Sequence, residues 1–97
     1  MTKQEQQEFF DQYINKMREV LLNKGDDYAN ADRLSNFKMA GQIAGGNAQL
    51  NCLNLIATKV ARLGVLLNSN DAPKNESIND SIMDLANYAM LLAMINK

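Results

Sequence analysis

The sequence predicts an all-α fold, a small helical bundle of three long helices plus one short helix that assembles as a homo-oligomer. Apolar residues recur three and four positions apart along three long segments, and no segment alternates as a strand does. Glycines and the single proline fall between these segments. The 97 residues suffice for one domain, residues 1–97, whose core is thin enough that oligomerisation is expected.

The first helix is predicted to open at Thr2, because Glu5 three residues later completes a capping box. Gly25 is placed to end this helix as a C-terminal cap. Its apolar residues follow helical spacing: Phe9, Phe10, Tyr13, Ile14, Met17, Val20 and Leu21.

A polar insert, "NKGDDYANADRLSNFK" at residues 23–38, follows the first helix. Its large side chains are Tyr28, Leu34 and Phe37, which can pin it to the helices. We expect its polar groups to line a pocket mouth, with Tyr28 or Phe37 stacked on a base. A disordered loop is the alternative. A short helix is predicted near residues 34–43, broken by Gly45 and Gly46.

Two further helices are predicted at about residues 48–67 and 76–95, joined by the loop 68–77 that contains Pro73. Ser77 with Asp80 suggests a weak capping box for the last helix. The expected core stripe of the former is Leu53, Ile56, Val60, Leu63 and Leu67, and that of the latter is Ile78, Ile82, Leu85, Ala89 and Leu92.

Charged residues fall inside or beside these apolar sectors. Lys59 lies within the sector of its helix and Arg62 at the margin, while Asp80, Asp84 and Asn87 form a row on the last helix. Lys59 and Arg62 are therefore predicted to face Asp80 and Asp84, because a buried charge needs a partner. The cluster is either a salt-bridge ladder that fixes helix register or a pocket whose cations hold an anion such as phosphate.

Composition excludes several classes of function. The net charge of −1 disfavours a nucleic-acid coat or a membrane-surface protein. One cysteine, Cys52, and no histidine exclude a disulfide framework and His-based catalytic or zinc sites. The polar N-terminal stretch and the lack of a long apolar run predict an intracellular protein.

The last helix carries a second apolar face, formed by Met83, Met90 and Met94. In so short a chain another subunit is expected to cover it, so we predict a homo-oligomer through this face. The alternative is a monomer that uses the face to bind a partner protein.

Three blocks, "KGDDYANADRLSNF", "LIATKVARL" and "NESINDSIMDLANYAMLL", resemble the phage nucleotide-modification-associated domain of the first type. The last block is also similar to the closing helix of MazG-like nucleotide pyrophosphatases, with Asp80, Asp84 and Tyr88 in matching places. The resemblance implies nucleotide binding in the cytoplasm of an infected bacterial host cell. MazG-like enzymes hold magnesium with four acidic residues, but here the preceding helix offers Lys59 and Arg62.

We therefore expect a protein that binds a nucleotide or a nucleotide-derived signal without hydrolysing it and without a cofactor. Analogy with small phage proteins extends this to an anti-defence role, in which the protein sequesters a host immune signal such as a cyclic nucleotide. Lys59 and Arg62 would hold phosphate. The expected ligand-binding residues are Lys24, Asp27, Tyr28, Asp32, Asn36, Phe37, Lys38, Lys59, Arg62, Asp80, Asp84, Asn87 and Tyr88.

Two other functions remain open from the sequence. One is a magnesium-dependent pyrophosphatase or an accessory of DNA base modification, with Asp27, Asp32, Asp80 and Asp84 as metal ligands. The other is an accessory module without a ligand that binds an enzyme through the methionine face. Neither DNA, RNA nor a membrane is an expected partner.

Overall fold

Helices make up nearly all of the structure. The computed structural model describes residues 1–28, 33–69 and 75–97, with side chains described there except at 24–28, 44 and 75–76. The helices are α1 (Lys3–Tyr28), α2 (Ser35–Ala44), α3 (Ala48–Asn68) and α4 (Asn75–Ile95). The prediction of three long helices and one short helix is confirmed. The chain divides into two compact units, Met1–Arg33 and Leu34–Lys97, which are described separately.

The first unit, Met1–Arg33, contains α1. The capping box is confirmed, since the Glu5 amide donates to Thr2 Oγ1 over 3.1 Å and the Thr2 amide donates to Glu5 Oε1 over 3.4 Å. The prediction that Gly25 ends the helix is wrong, because α1 continues to Tyr28. A glycine inside a helix costs only about 1 kcal/mol, which the neighbouring turns offset here.

The second unit begins with α2, whose end is set by glycine geometry. Gly45 adopts a φ of 75°, and the Gly46 amide donates to the Gly41 carbonyl over 2.8 Å, as in a Schellman cap. The predicted break at Gly45 and Gly46 is confirmed. Gly41 meets the next helix closely, because a Cβ at Gly41 would lie 2.7 Å from the Asn47 carbonyl carbon.

Helices α3 and α4 form an antiparallel hairpin. Asn47 caps α3 by accepting the Leu50 amide on Oδ1 over 2.8 Å. Cys52 near the start of α3 meets Tyr88 late in α4, whereas Lys59 further along α3 meets Asp84 earlier in α4. Ser77 lies inside α4, so its prediction as a cap is wrong. Pro73 lies outside the described residues.

The predicted core stripe of α3 is wrong in three of its five members. Leu53, Val60 and Leu67 are 49%, 54% and 65% exposed. The helix is turned instead so that Cys52, which is fully buried, and Leu63 pack inside. The half-buried residues Ile56 and Lys59 lie between these two on the same side of α3.

Helix α4 is turned in the same sense. Ile82 and Ala89 of its predicted stripe are exposed, while Ser81 and Asn87 are 2% and 5% exposed. Polar residues of α4 therefore pack inside, and its largest apolar stripe is left partly open.

Among the described residues, α3 is long and apolar enough by length and composition to span a membrane, although only 6% of its apolar window is buried. The expectation that no apolar stretch reaches this length is wrong, because α3 keeps a high mean hydropathy despite Lys59 and Arg62. The buried core helix of a soluble protein also passes this test.

Candidate functional site

An ion pair lies midway along the α3–α4 hairpin. Lys59 Nζ is 3.1 Å from Asp84 Oδ2, and the two side chains are 25% and 21% exposed. The antiparallel packing brings these two mid-helix positions together, so the predicted pairing of Lys59 with Asp84 is confirmed. The pair is partly open to solvent, so a ligand can reach the ammonium group without unfolding the hairpin.

Asn87 lies one turn beyond Asp84 on α4 and is almost completely buried. It is 5% exposed, and neither Oδ1 nor Nδ2 has a hydrogen-bond partner among the described residues. A buried amide without partners costs about 1–3 kcal/mol for each unsatisfied group. The arrangement therefore leaves one donor and one acceptor side by side inside the hairpin, both closed to solvent.

The second predicted ion pair is not formed. Arg62 and Asp80 are both exposed, and within the described ranges no ion pair joins them. Of the predicted ladder, the described residues show the pair of Lys59 with Asp84. Because Arg62 follows Lys59 by three residues, the two cations lie on adjoining turns of α3, with Arg62 in solvent.

The described residues of the polar insert are mostly helical, while residues 29–32 lie outside the description and the expected pocket mouth stays a prediction. Its first residues continue α1 to Tyr28 and its last ones open α2 at Ser35. Arg33 Nη2 donates to the Leu22 carbonyl over 2.7 Å and so ties the connection to the last turns of α1. The sequence did not single out Arg33.

Four predicted ligand residues belong to the first unit. The backbone of Lys24, Asp27 and Tyr28 lies in α1, but their side chains and the whole of Asp32 lie outside the described residues. Their roles stay predictions.

The remaining predicted residues lie in the second unit. On the first turn of α2, Asn36 and Lys38 are exposed and Phe37 is half-buried. Tyr88 is half-buried on α4, and its carbonyl accepts the Cys52 thiol over 3.4 Å.

Cys52 and Ser81 are the buried small residues that sequence reasoning missed. Burial raises the pKa of the Cys52 thiol and keeps it protonated. A usable signal existed, because Cys52 precedes Lys59 by seven residues and Ser81 precedes Asp84 by three, which places each on the inner side of its helix.

Carboxylates do not gather into a metal site in the part of the chain that the structure describes. No group of three or more Asp, Glu or Cys side chains there is arranged to hold an ion. Of the four acids considered for magnesium, Asp80 is exposed and Asp84 pairs with Lys59, while the side chains of Asp27 and Asp32 are not described.

In comparisons with known proteins, no family model, no curated protein and no solved structure matches the chain. The resemblance to nucleotide-modification-associated domains and MazG-like enzymes therefore stays a prediction from the three sequence blocks.

Proposed function

We propose that the α3–α4 hairpin binds a nucleotide-derived small molecule and holds it without hydrolysis. The observation that carries this proposal is the buried Asn87 amide, whose donor and acceptor have no partner among the described residues. An amide of this kind matches the paired donor and acceptor on the edge of a nucleobase, as asparagine does with adenine.

In this proposal, Lys59 of the ion pair binds the phosphate group of the same ligand. Asp84 holds the Lys59 ammonium at 3.1 Å in a defined position, and charge-assisted bonds to phosphate oxygens are among the strongest that a side chain makes. Arg62 on the adjoining turn adds a second, exposed cation. Because Asp84 offsets the charge of Lys59, Arg62 supplies the net positive charge that a phosphate would meet.

A purely structural role for the ion pair does not explain why Asn87 is buried. Fixing the register of two helices requires Lys59 and Asp84 but gives no reason to bury Asn87 without a partner. A ligand reaches this amide only when α3 and α4 part locally, and its hydrogen bonds then remove the desolvation cost that the free protein carries. The purpose of sequestering a signal is an extension of this proposal from the resemblance to phage proteins.

The experiment measures retention of nucleotides by the protein on a filter. A panel of mononucleotides, cyclic dinucleotides and cyclic ADP-ribose isomers is incubated with wild-type protein and with the variants Asn87→Leu and Lys59→Met. Matched controls are Asn79→Leu on α4 and Lys16→Met on α1, which make the same changes at exposed positions.

The proposal expects one ligand class to be retained by wild type and both controls. Lys59→Met removes a charge-assisted contact worth about 1.5–3 kcal/mol, so affinity falls by about 10–150-fold. Retention that is equal in wild type and in both site variants would show that the hairpin site is not where the ligand binds.

A further inference from the structure

The apolar face of α3 that remains exposed has the spacing of a helix–helix contact. Leu50, Leu53, Ala57, Val60, Gly64 and Leu67 follow one another at steps of three and four, and all six are exposed. This is the heptad pattern with which one helix packs along another. A helix that only faces water gains nothing from such a pattern.

Helix α4 has a matching row on the same side of the hairpin. The row alternates steps of four and three, and each member is exposed or half-buried: Ile78, Ile82, Leu85, Ala89, Leu92 and, just past the end of α4, Asn96. The two rows together are called the open face.

A groove shows that the two rows lie side by side. It has a volume of about 500 Å³ and lies between Leu50 and Leu53 of α3 and Ala89, Leu92 and Ala93 of α4. Gln49 of α3 and Asn96, just after α4, also line it. The two rows therefore adjoin at the end of the hairpin where α3 begins and α4 ends.

The chemistry of the open face suits an identical surface. None of its twelve residues is charged, and Lys59, the only charged residue of α3 besides Arg62, is turned away from it toward Asp84. An uncharged surface offers an ion or a charged peptide no partner. The open face of a second copy matches the first in length and in heptad spacing. Helices α3 and α4 each contain 21 residues, so the two helices of one copy can pack along the two helices of the other.

The open face exposes large apolar side chains, of which Leu50, Leu53, Val60 and Leu67 are 53%, 49%, 54% and 65% exposed. A contact between two open faces would remove this apolar surface from water, which favours association.

We propose that a second copy of the chain covers the open face, so that two α3–α4 hairpins form a four-helix bundle with two-fold symmetry. In such an isologous contact each chain presents the same patch to the other. This interface differs from the expected methionine face, because Met90 and Met94 lie about 140° around α4 from the row of the open face. The dimer does not depend on any ligand.

Analytical ultracentrifugation of purified protein tests the proposal with two matched double variants. Leu53→Ser with Val60→Ser alters the open face, and Met90→Ser with Met94→Ser alters the methionine face at side chains of similar exposure, 42% and 44%. Wild type is expected at twice the chain mass of 10.8 kDa. The open-face variant should dimerise roughly a thousandfold more weakly, since four half-exposed side chains lose their apolar contact.

The methionine variant is expected to remain a dimer. A monomeric wild type at every concentration, or a dimer that only the methionine variant disrupts, would overturn the proposal. So would flotation of wild type with phosphatidylcholine vesicles, which would make the open face a lipid contact.

If the open-face variant is unfolded, thermal unfolding of wild type followed by circular dichroism provides a second test. In that case the thermal midpoint of wild type must fall on dilution, because dissociation then accompanies unfolding. A midpoint independent of protein concentration would refute the dimer.

Discussion

Replacing Asn87 with leucine separates a binding role from a structural one. The two side chains have the same number of heavy atoms and both branch at Cγ, so leucine fits the space with little rearrangement. Asn87 is 5% exposed and its amide has no partner among the described residues. The substitution therefore removes two buried polar groups and leaves no new group unsatisfied.

The expected gain in stability follows from these groups. An unsatisfied buried polar group costs about 1–3 kcal/mol, and the leucine methyls add apolar burial that is partly offset by tighter packing. We expect Asn87→Leu to raise the free energy of unfolding by about 1–3 kcal/mol. In a domain of this size that corresponds to a rise in Tm of about 5–20 °C.

Urea unfolding followed by circular dichroism, at one fixed protein concentration, measures this difference. Asn79→Leu is the control, because Asn79 is an exposed residue of the same helix and its substitution should change stability by less than about 0.5 kcal/mol. A variant that is more stable and no longer binds nucleotide would show that Asn87 serves the ligand. Destabilisation by more than about 1 kcal/mol would refute the reasoning, since the amide would then have a partner that leucine cannot replace.

Three further predictions concern the fold. Gly41→Ala should destabilise the second unit by about 1–3 kcal/mol in urea unfolding, because its Cβ would lie 2.7 Å from the Asn47 backbone; unchanged stability would contradict the close approach. Thr2→Ala should lower stability by about 1 kcal/mol through loss of the cap on Glu5, and no loss of helicity at the start of α1 would count against it. Burial raises the pKa of the Cys52 thiol, so the folded protein should lose stability as pH rises above the ordinary thiol pKa, because only the unfolded chain then releases the proton. A Cys52→Ala variant with the same pH dependence would contradict this.

The sequence predicted where the helices lie because their signals are local. The Thr2 capping box and the glycines after α2 act within a few residues, and both were confirmed. Gly25 was misread because a cap signal and a tolerated helical glycine look alike in sequence. Whether the helix continues past the glycine depends on whether the hydrogen bonds and packing of the next turn outweigh the cost of a helical glycine.

The orientation of the helices was harder to predict than their bounds. The sequence rule that the largest apolar stripe faces the core failed for Leu53, Val60 and Ile82, which are exposed. That rule assumes that a chain covers its own apolar surface. Lys59 and Asp84 were nevertheless placed together, because a charge inside an apolar sector demands an opposite charge nearby.

Mass spectrometry of filtered and denatured protein tests the central claim most directly. Wild type, Lys59→Met and Lys16→Met are incubated with the nucleotide panel and magnesium, free ligand is removed by filtration, and both the filtrate and the denatured protein are analysed. The account predicts one ligand class depleted from the filtrate of wild type and Lys16→Met, released intact on denaturation, and left in the filtrate by Lys59→Met. A panel recovered whole in every filtrate, or converted to monophosphate and pyrophosphate, would contradict it.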